Sequence, residues 1–188
     1  GPPHPWHTMP EVWEDTLPEA YLARVDRDGI GFRDNVPEDM RETPNTGARD
    51  QLLGYYAGTL AIDDALAQLM AGLEERGLAD DVLVVLSSDH GEMGGSHGRY
   101  KKFVPFEEAI RVPLVFHWPN ELAAGVLDAP MTLCDLGPTL CGLADIAAWD
   151  DVDGVDVSQA ILGLSAYPLD ASYIQNRQGI LKFDMLHD

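Results

Sequence analysis

Val82-Leu-Val-Val-Leu-Ser-Ser-Asp-His-Gly91 is the stretch that decides the fold. Its short continuous apolar run, β-branched in character and bounded by turn signals, reads as a buried parallel strand, Val82–Leu86. The run ends directly in Ser87-Ser88-Asp89-His90-Gly91. Upstream, from about Ala48 to Arg76, Leu53, Tyr56, Leu60, Ile62, Leu66, Leu69, Met70 and Leu73 recur at three- and four-residue steps, which predicts a helix. Gly77 supplies its stop, with Arg76 in the last turn. Downstream, Val112-Pro-Leu-Val-Phe-His-Trp118 reads as a second strand, with Pro113 at its start where proline is tolerated. Between the strands lie a glycine-rich stretch, Ser87 to Lys102, and a helix start at Pro105–Ile110. Further helices fit Thr132–Leu143, which contains Pro138, and Asp156–Leu162. Alternating helix, strand, polar loop, helix and strand define an α/β fold. In open α/β sheets ligands sit beyond the carboxyl ends of strands, so the chemistry belongs after Leu86.

Around this core, residues 1–50 form a loop-rich segment punctuated by Pro2, Pro3, Pro5, Pro10, Pro18, Pro37 and Pro44, with one short helix expected near Glu11–Leu22. A loop of that length is either functional or part of something incomplete. Residues 51–157 carry the core, and 158–188 form a tail with no clear pattern after Gly163. The three stretches are expected to form a single partial domain. A chain of 188 residues is long enough to bury a hydrophobic core without staples. No aliphatic run approaches the roughly 20 residues that a membrane-spanning helix needs. The chain opens on Gly1 and shows neither a basic start nor an apolar stretch after it. It reads as processed or cut, and its compartment, cytoplasmic or periplasmic, stays open.

The formal net charge of −20 sets the partners. A surface this acidic repels nucleic acid and anionic membranes, so neither is expected to bind. It would suit cations, but for the overall charge the preferred reading is solubility or salt adaptation. Cys134 and Cys141 match neither a disulfide framework nor a zinc spacing. On a helix they share one face and read as small core residues.

Asp89 and His90 leave a strand end together, and Gly91, Gly94 and Gly95 let the backbone turn sharply after them. A carboxylate and an imidazole so placed can reach one divalent cation. Oxygen donors suit Ca²⁺, Mg²⁺ and Mn²⁺, and an imidazole favours Mn²⁺ or Zn²⁺. The same pair also reads as a turn aspartate with an exposed histidine beside it. His90, Glu92 and His97 do not have zinc-protease spacing, and the glycines between them disfavour a helix. Arg99, Lys101 and Lys102 form a local basic cluster in an acidic chain, suited to a phosphate-like oxyanion. Arg99 and Lys101 themselves read as solvated loop residues. His4, His7 and His117 carry no pattern of their own. Asp63 and Asp64 are helix neighbours and point apart. No Gly-x-Gly-x-x-Gly, Walker A or Gly-x-Ser-x-Gly motif is present.

Three blocks, in order, resemble the sulfatase family of the alkaline-phosphatase-like superfamily. They are Tyr55 through Leu78; Val84-Val-Leu-Ser-Ser-Asp-His-Gly-Glu-Met93 with Ser96–Lys102 and Pro105–Phe116; and Cys134-Asp-Leu-Gly-Pro-Thr-Leu140 with Ala144-Asp-Ile146 and Asp153-Gly-Val155. The resemblance implies an alkaline-phosphatase-like sandwich, a mostly parallel sheet flanked by helices and incomplete in this chain. It implies that Asp89 and His90 ligate a divalent cation, Ca²⁺ or alternatively Mn²⁺. It makes Lys102 the lysine that holds the sulfate oxygens, with Lys101 one place early, and His97 a substrate-contacting or supporting residue. His4, in Pro3-His4-Pro5-Trp6, would touch the leaving group, although Trp6 stands where the family has a second proline.

The family's nucleophile is a formylglycine made in Cys-x-Pro/Ala-x-Arg, and neither cysteine fits that pattern. The early paired-aspartate ligands are missing too. The resemblance therefore implies the C-terminal part of a metal-assisted sulfate-ester hydrolase acting on a small molecule or saccharide, inactive as the isolated chain and completed by an N-terminal portion or a second copy. A phosphonate or phosphate ester hydrolase of the same superfamily, or a truncated cation-binding module, are the alternatives.

Overall fold

The computed structural model describes Glu19, residues 48–176 and residues 183–187. His4 and the helix expected near Glu11–Leu22 lie outside these residues, apart from Glu19, which is helical. Two compact units divide the chain. One gathers the long helix with His90–Lys102 and Phe106–Arg111; the other holds Asp80–Asp89, Phe103–Pro105 and the chain from Val112 onward.

In the first unit, helix α1 spans Ala48–Glu74. Leu53 and Ala57 are fully buried, while Tyr56, Leu60, Leu66, Met70 and Leu73 are half-buried. Tyr55, Ile62 and Leu69 stay exposed, so the apolar stripe is wider than the face it buries here. The helix ends at Glu74, so the expected place of Arg76 in its last turn is corrected, but the stop at Gly77 forms as the sequence predicts. Gly77 takes φ +66°, its N–H donates to the Glu74 carbonyl, and the Leu78 N–H donates to the Leu73 carbonyl, both at 2.9 Å. This pair of bonds is a Schellman motif, which satisfies carbonyls the helix end would otherwise orphan. Helix α2 is a single turn, Glu107–Ile110.

In the second unit, β1 (Val84–Ser87) and β2 (Leu114–His117) form the expected strands. They pair with each other, antiparallel, Val84 opposite His117 and Ser87 opposite Leu114. The parallel reading of Val82–Leu86 is thus corrected for this pair. A parallel pair needs a crossover, usually a full helix. The connection here contains only a 3₁₀ turn at Ser96–Gly98 and the four-residue α2. All of β1 is half-buried, whereas β2 alternates, with Val115 and His117 exposed. Asp81 fixes the register: its carbonyl accepts from Trp118 Nε1 (3.2 Å) and its carboxylate from Asn120 Nδ2 (2.6 Å).

Helix α3 spans Leu133–Leu143 and packs on the short α4, Ser158–Ile161. Asp135, only 4% exposed, is the polar knot of this unit. One carboxylate oxygen accepts from the Thr132 N–H and hydroxyl (2.7 and 2.8 Å), and the other from the Val155 N–H (2.8 Å). A buried carboxylate is tolerable when hydrogen bonds replace its water in this way. Pro138 lacks the N–H that would bond the Cys134 carbonyl one turn back. Gly154 packs its backbone against that carbonyl, where any Cβ would collide. Cys134 is exposed and Cys141 half-buried, so the core reading fails for Cys134, which sits in the first turn of α3, outside the buried set Asp135, Pro138, Thr139 and Leu143.

The tail also differs from the sequence reading. Ser172–Asn176 (β3) and Phe183–His187 (β4) pair antiparallel, Tyr173 opposite Leu186 and Gln175 opposite Asp184. No helix among the described residues is long and apolar enough to cross a membrane.

Tyr167 donates its hydroxyl to the Pro130 carbonyl at 2.7 Å. Burial, and then the Asp135 carboxylate, push its phenol above the ordinary value of 10.0. A folded-state value raised above the unfolded one contributes stability that is complete below the unfolded value and is lost as pH rises through the folded value. Urea unfolding midpoints at about pH 9 and about pH 11 should therefore fall further for the parent than for Tyr167→Phe, which cannot ionise there. Equal falls in the two proteins would remove Tyr167 as a source of alkaline destabilisation.

Candidate functional site

β1 ends at Ser87, and Ser88 and Asp89 lead the chain into His90. Beyond His90 the chain forms a tight loop held by its own backbone. The Gly91 N–H donates to the Ala109 carbonyl at 2.9 Å, and the Glu108 carbonyl lies over the Gly91 Cα, so close that a Cβ has no room. Helix α2 is thereby docked by main chain onto the residue after His90. Within the loop, Met93 N–H bonds the Lys101 carbonyl (2.9 Å) and Gly95 N–H bonds the Arg99 carbonyl (2.8 Å). Met93 and Ser96 are fully buried. Gly94 and Gly95 take positive φ, the use the sequence predicts for them. His97, Lys101 and Phe103 do so as well, at φ 53°, 68° and 75°, where a Cβ is unfavourable.

The loop brings His90 and Lys102 together. His90 Nδ1 lies 2.8 Å from the Gly91 carbonyl oxygen, which can only accept. Nδ1 therefore carries the proton and donates, and Nε2 presents a lone pair. Lys102 Nζ, 2.7 Å away, donates to that lone pair. Both residues are half-buried. A backbone acceptor on one ring nitrogen is an orientation that metal-ligating histidines also use. Asp89, its neighbour in the chain, is exposed and belongs to the second unit. The donor chemistry fits a divalent cation. Among the described residues no group of three or more His, Cys, Asp or Glu side chains gathers that could hold a metal ion, whereas Ca²⁺ takes roughly 6–8 ligands. One lone pair serves one partner, so a cation on Nε2 and the Lys102 contact are alternatives.

His97 lies apart from this contact and has its own support. Its ring stacks on Phe106, centroids 4.2 Å apart and planes within 9°, and its Nε2 is 4.0 Å from Glu108 Oε1. Arg99 is half-buried and Lys101 exposed, and Arg111 pairs with Glu107 at the surface (3.7 Å). His117 is exposed at the end of β2. Sequence reasoning missed Glu92, whose Oε1 accepts from the Gly94 N–H (3.2 Å) and the Lys101 N–H. It also missed Phe106 and Glu108 as neighbours of His97. A lone acidic residue between glycines carries no spacing pattern, and the stack depends on a fold-back that no periodicity announces.

Known proteins share much of this chain. The sulfatase family model matches residues 6–146. An ulvan-active sulfatase of Formosa agariphila is 36% identical over 135 residues, covering 66% of this chain and 26% of the relative. A choline-sulfatase of Rhizobium meliloti is 32% identical over 144 residues, covering 69% of this chain and 28% of the relative. The chain spans about a quarter of the length of such relatives. Among solved structures, one in complex with its substrate D-glucosamine-2-N,6-O-disulfate superposes with a TM-score of 0.64 at 23% identity, over 94% of this chain and 36% of that one. A phosphonate monoester hydrolase from Silicibacter pomeroyi gives 0.65 at 22% identity, over 78% and 33%. These likenesses establish the alkaline-phosphatase-like α/β fold, of which the β1–β2 pair is a small antiparallel part.

The docking of α2 at Gly91 is open to direct test. Gly91→Ala drives a methyl group into the Glu108 carbonyl, and backbone on both sides must shift. Overpacking of this kind costs about 1–3 kcal/mol, read as a lower urea midpoint. An unchanged midpoint would show that the loop and α2 separate freely.

Proposed function

The chain belongs to the sulfatase family, and from that premise we propose that it carries the oxyanion-gripping and part of the cation-binding machinery of a sulfate-ester hydrolase. One observation carries the reading: Lys102 Nζ sits 2.7 Å from His90 Nε2. The side chain proposed for the substrate and the side chain proposed for the cation thus meet at one point.

Asp89 and His90 would hold the divalent cation, Ca²⁺ or alternatively Mn²⁺. When bound, such an ion polarises an ester oxygen and neutralises charge that develops on it. The chain's own residues do the rest. Lys102 offers a flexible point charge to a sulfate oxygen, an electrostatic role that acts most strongly where charge accumulates. The Gly91 carbonyl holds the His90 ring in its ligating tautomer. His97, seated on Phe106, is proposed to contact the substrate. His4 is proposed to hydrogen-bond or protonate the departing alkoxide.

Neither cysteine stands in Cys-x-Pro/Ala-x-Arg, so the formylglycine nucleophile is proposed to come from sequence outside residues 1–188. The substrate class proposed is a sulfated small molecule or saccharide. Support for a saccharide comes from the names of an ulvan-active relative and of an N-acetylglucosamine-6-O-sulfatase.

In the full-length protein, Lys102→Ala should lower turnover of an aryl sulfate by about 10²-fold or more with the far-ultraviolet circular dichroism unchanged. Wild-type turnover would remove Lys102 from the site. Asp89→Ala should lose its cation on dialysis, measured by elemental analysis; equal metal content would end that role. Faster turnover of a phosphonate monoester than of the aryl sulfate would transfer the assignment to the phosphonate branch of the superfamily.

A further inference from the structure

We propose that Glu92 is a positioning residue for Lys102, acting as a carboxylate clamp on the backbone of the loop that presents the ammonium group. The inference rests on the reading of Lys102 as the oxyanion ligand. Lys102 stands between Lys101 and Phe103, both in the left-handed backbone region at φ 68° and 75°. Residues with a Cβ adopt that region only when their surroundings hold them there. The peptide groups of Lys101 show what holds it. Its N–H donates to Glu92 Oε1, and its carbonyl accepts from the Met93 N–H at 2.9 Å. The Gly94 N–H donates to the same Glu92 oxygen at 3.2 Å.

A single oxygen thus closes the loop from both sides. The anchor lies immediately before Lys102, and the other end of the clamp lies two residues after His90. Glu92 thereby fixes the spacing along which Lys102 Nζ reaches His90 Nε2. Its bonds go only to backbone, so it touches neither the ammonium nor the imidazole within the contacts described. What the position requires is an acceptor oxygen, and a negative charge is secondary. That distinction separates a clamp from a cation ligand or a counter-charge. Glutamine keeps an oxygen at the same reach, whereas alanine removes it.

The test uses the full-length protein and its Glu92→Gln, Glu92→Ala and Lys102→Ala variants. Two quantities are read: amide hydrogen exchange of the peptide covering 93–102 by mass spectrometry, and affinity for inorganic sulfate by calorimetry. Glu92→Ala should speed exchange in that peptide and weaken sulfate binding, each by about tenfold, while Glu92→Gln stays within about threefold of the parent in both. Three results would each overturn the clamp: Glu92→Gln behaving like Glu92→Ala, Glu92→Ala leaving exchange unchanged, or Glu92→Ala loosening the loop while sulfate affinity holds. Should Glu92→Ala raise exchange throughout the chain, Glu92→Met keeps the volume without the acceptor and replaces it. If Lys102→Ala binds sulfate as the parent does, it is the oxyanion role of Lys102 that fails, and the exchange measurement still judges the clamp.

Discussion

The approach of two backbones at Gly91 governs the loop that carries His90 and Lys102 in the first unit. The Gly91 N–H is spent on the Ala109 carbonyl, and the Glu108 carbonyl occupies the space of a side chain. With that residue pinned, the groups on either side of it acquire fixed directions. His90 turns its Nδ1 to the Gly91 carbonyl and its Nε2 to Lys102. Glu92 turns its carboxylate into the loop. The same single turn of helix delivers Phe106 and Glu108 to His97. No large apolar cluster is needed for this. Hydrogen bonds between main-chain groups set the frame, and Met93 and Ser96 fill its interior.

The second unit obeys a similar economy of polar contacts around Asp135. A fully buried carboxylate is costly unless every lone pair it needs is met. Thr132 meets one oxygen at the head of α3 and Val155 meets the other from the returning chain. Thr139 repeats the pattern a turn later, its hydroxyl accepting from the Val157 N–H at 3.1 Å. The segment 154–157 is thus laced to α3 by backbone amides, and α4 begins directly after it. Pro138, which looks like a defect in a helix, frees the Cys134 carbonyl at the place where Gly154 passes closest.

Local rules made much of this legible. The stop at Gly77 needed only a glycine after a periodic run, and both β1 and β2 were visible as apolar runs. The pairing of β1 with β2 was not, because direction depends on what the 88–113 connection does in space, and its glycines say only that it turns. The pair β3–β4 escaped notice because five-residue strands carry too few alternations to stand out from an irregular tail. Asp89 and His90 stood out as a strand-end pair and Lys102 as part of a basic cluster, and resemblance to a family block suggested their roles. His90 and Lys102 meet at 2.7 Å, the roles of these residues and of His97 are proposals, and His4 lies outside the described residues. Cys134 was misjudged because equal spacing puts two residues on one face without saying which face is buried.

On the roles proposed for them, the bond between Lys102 and His90 would couple two affinities. An anion that draws the ammonium toward itself returns the imidazole its electron pair, and whatever captures that pair releases the ammonium to the anion. By thermodynamic reciprocity each event must favour the other by the same factor. Two ligands of opposite sign would then be coupled through a single shared proton donor, with no movement of helices or sheets required.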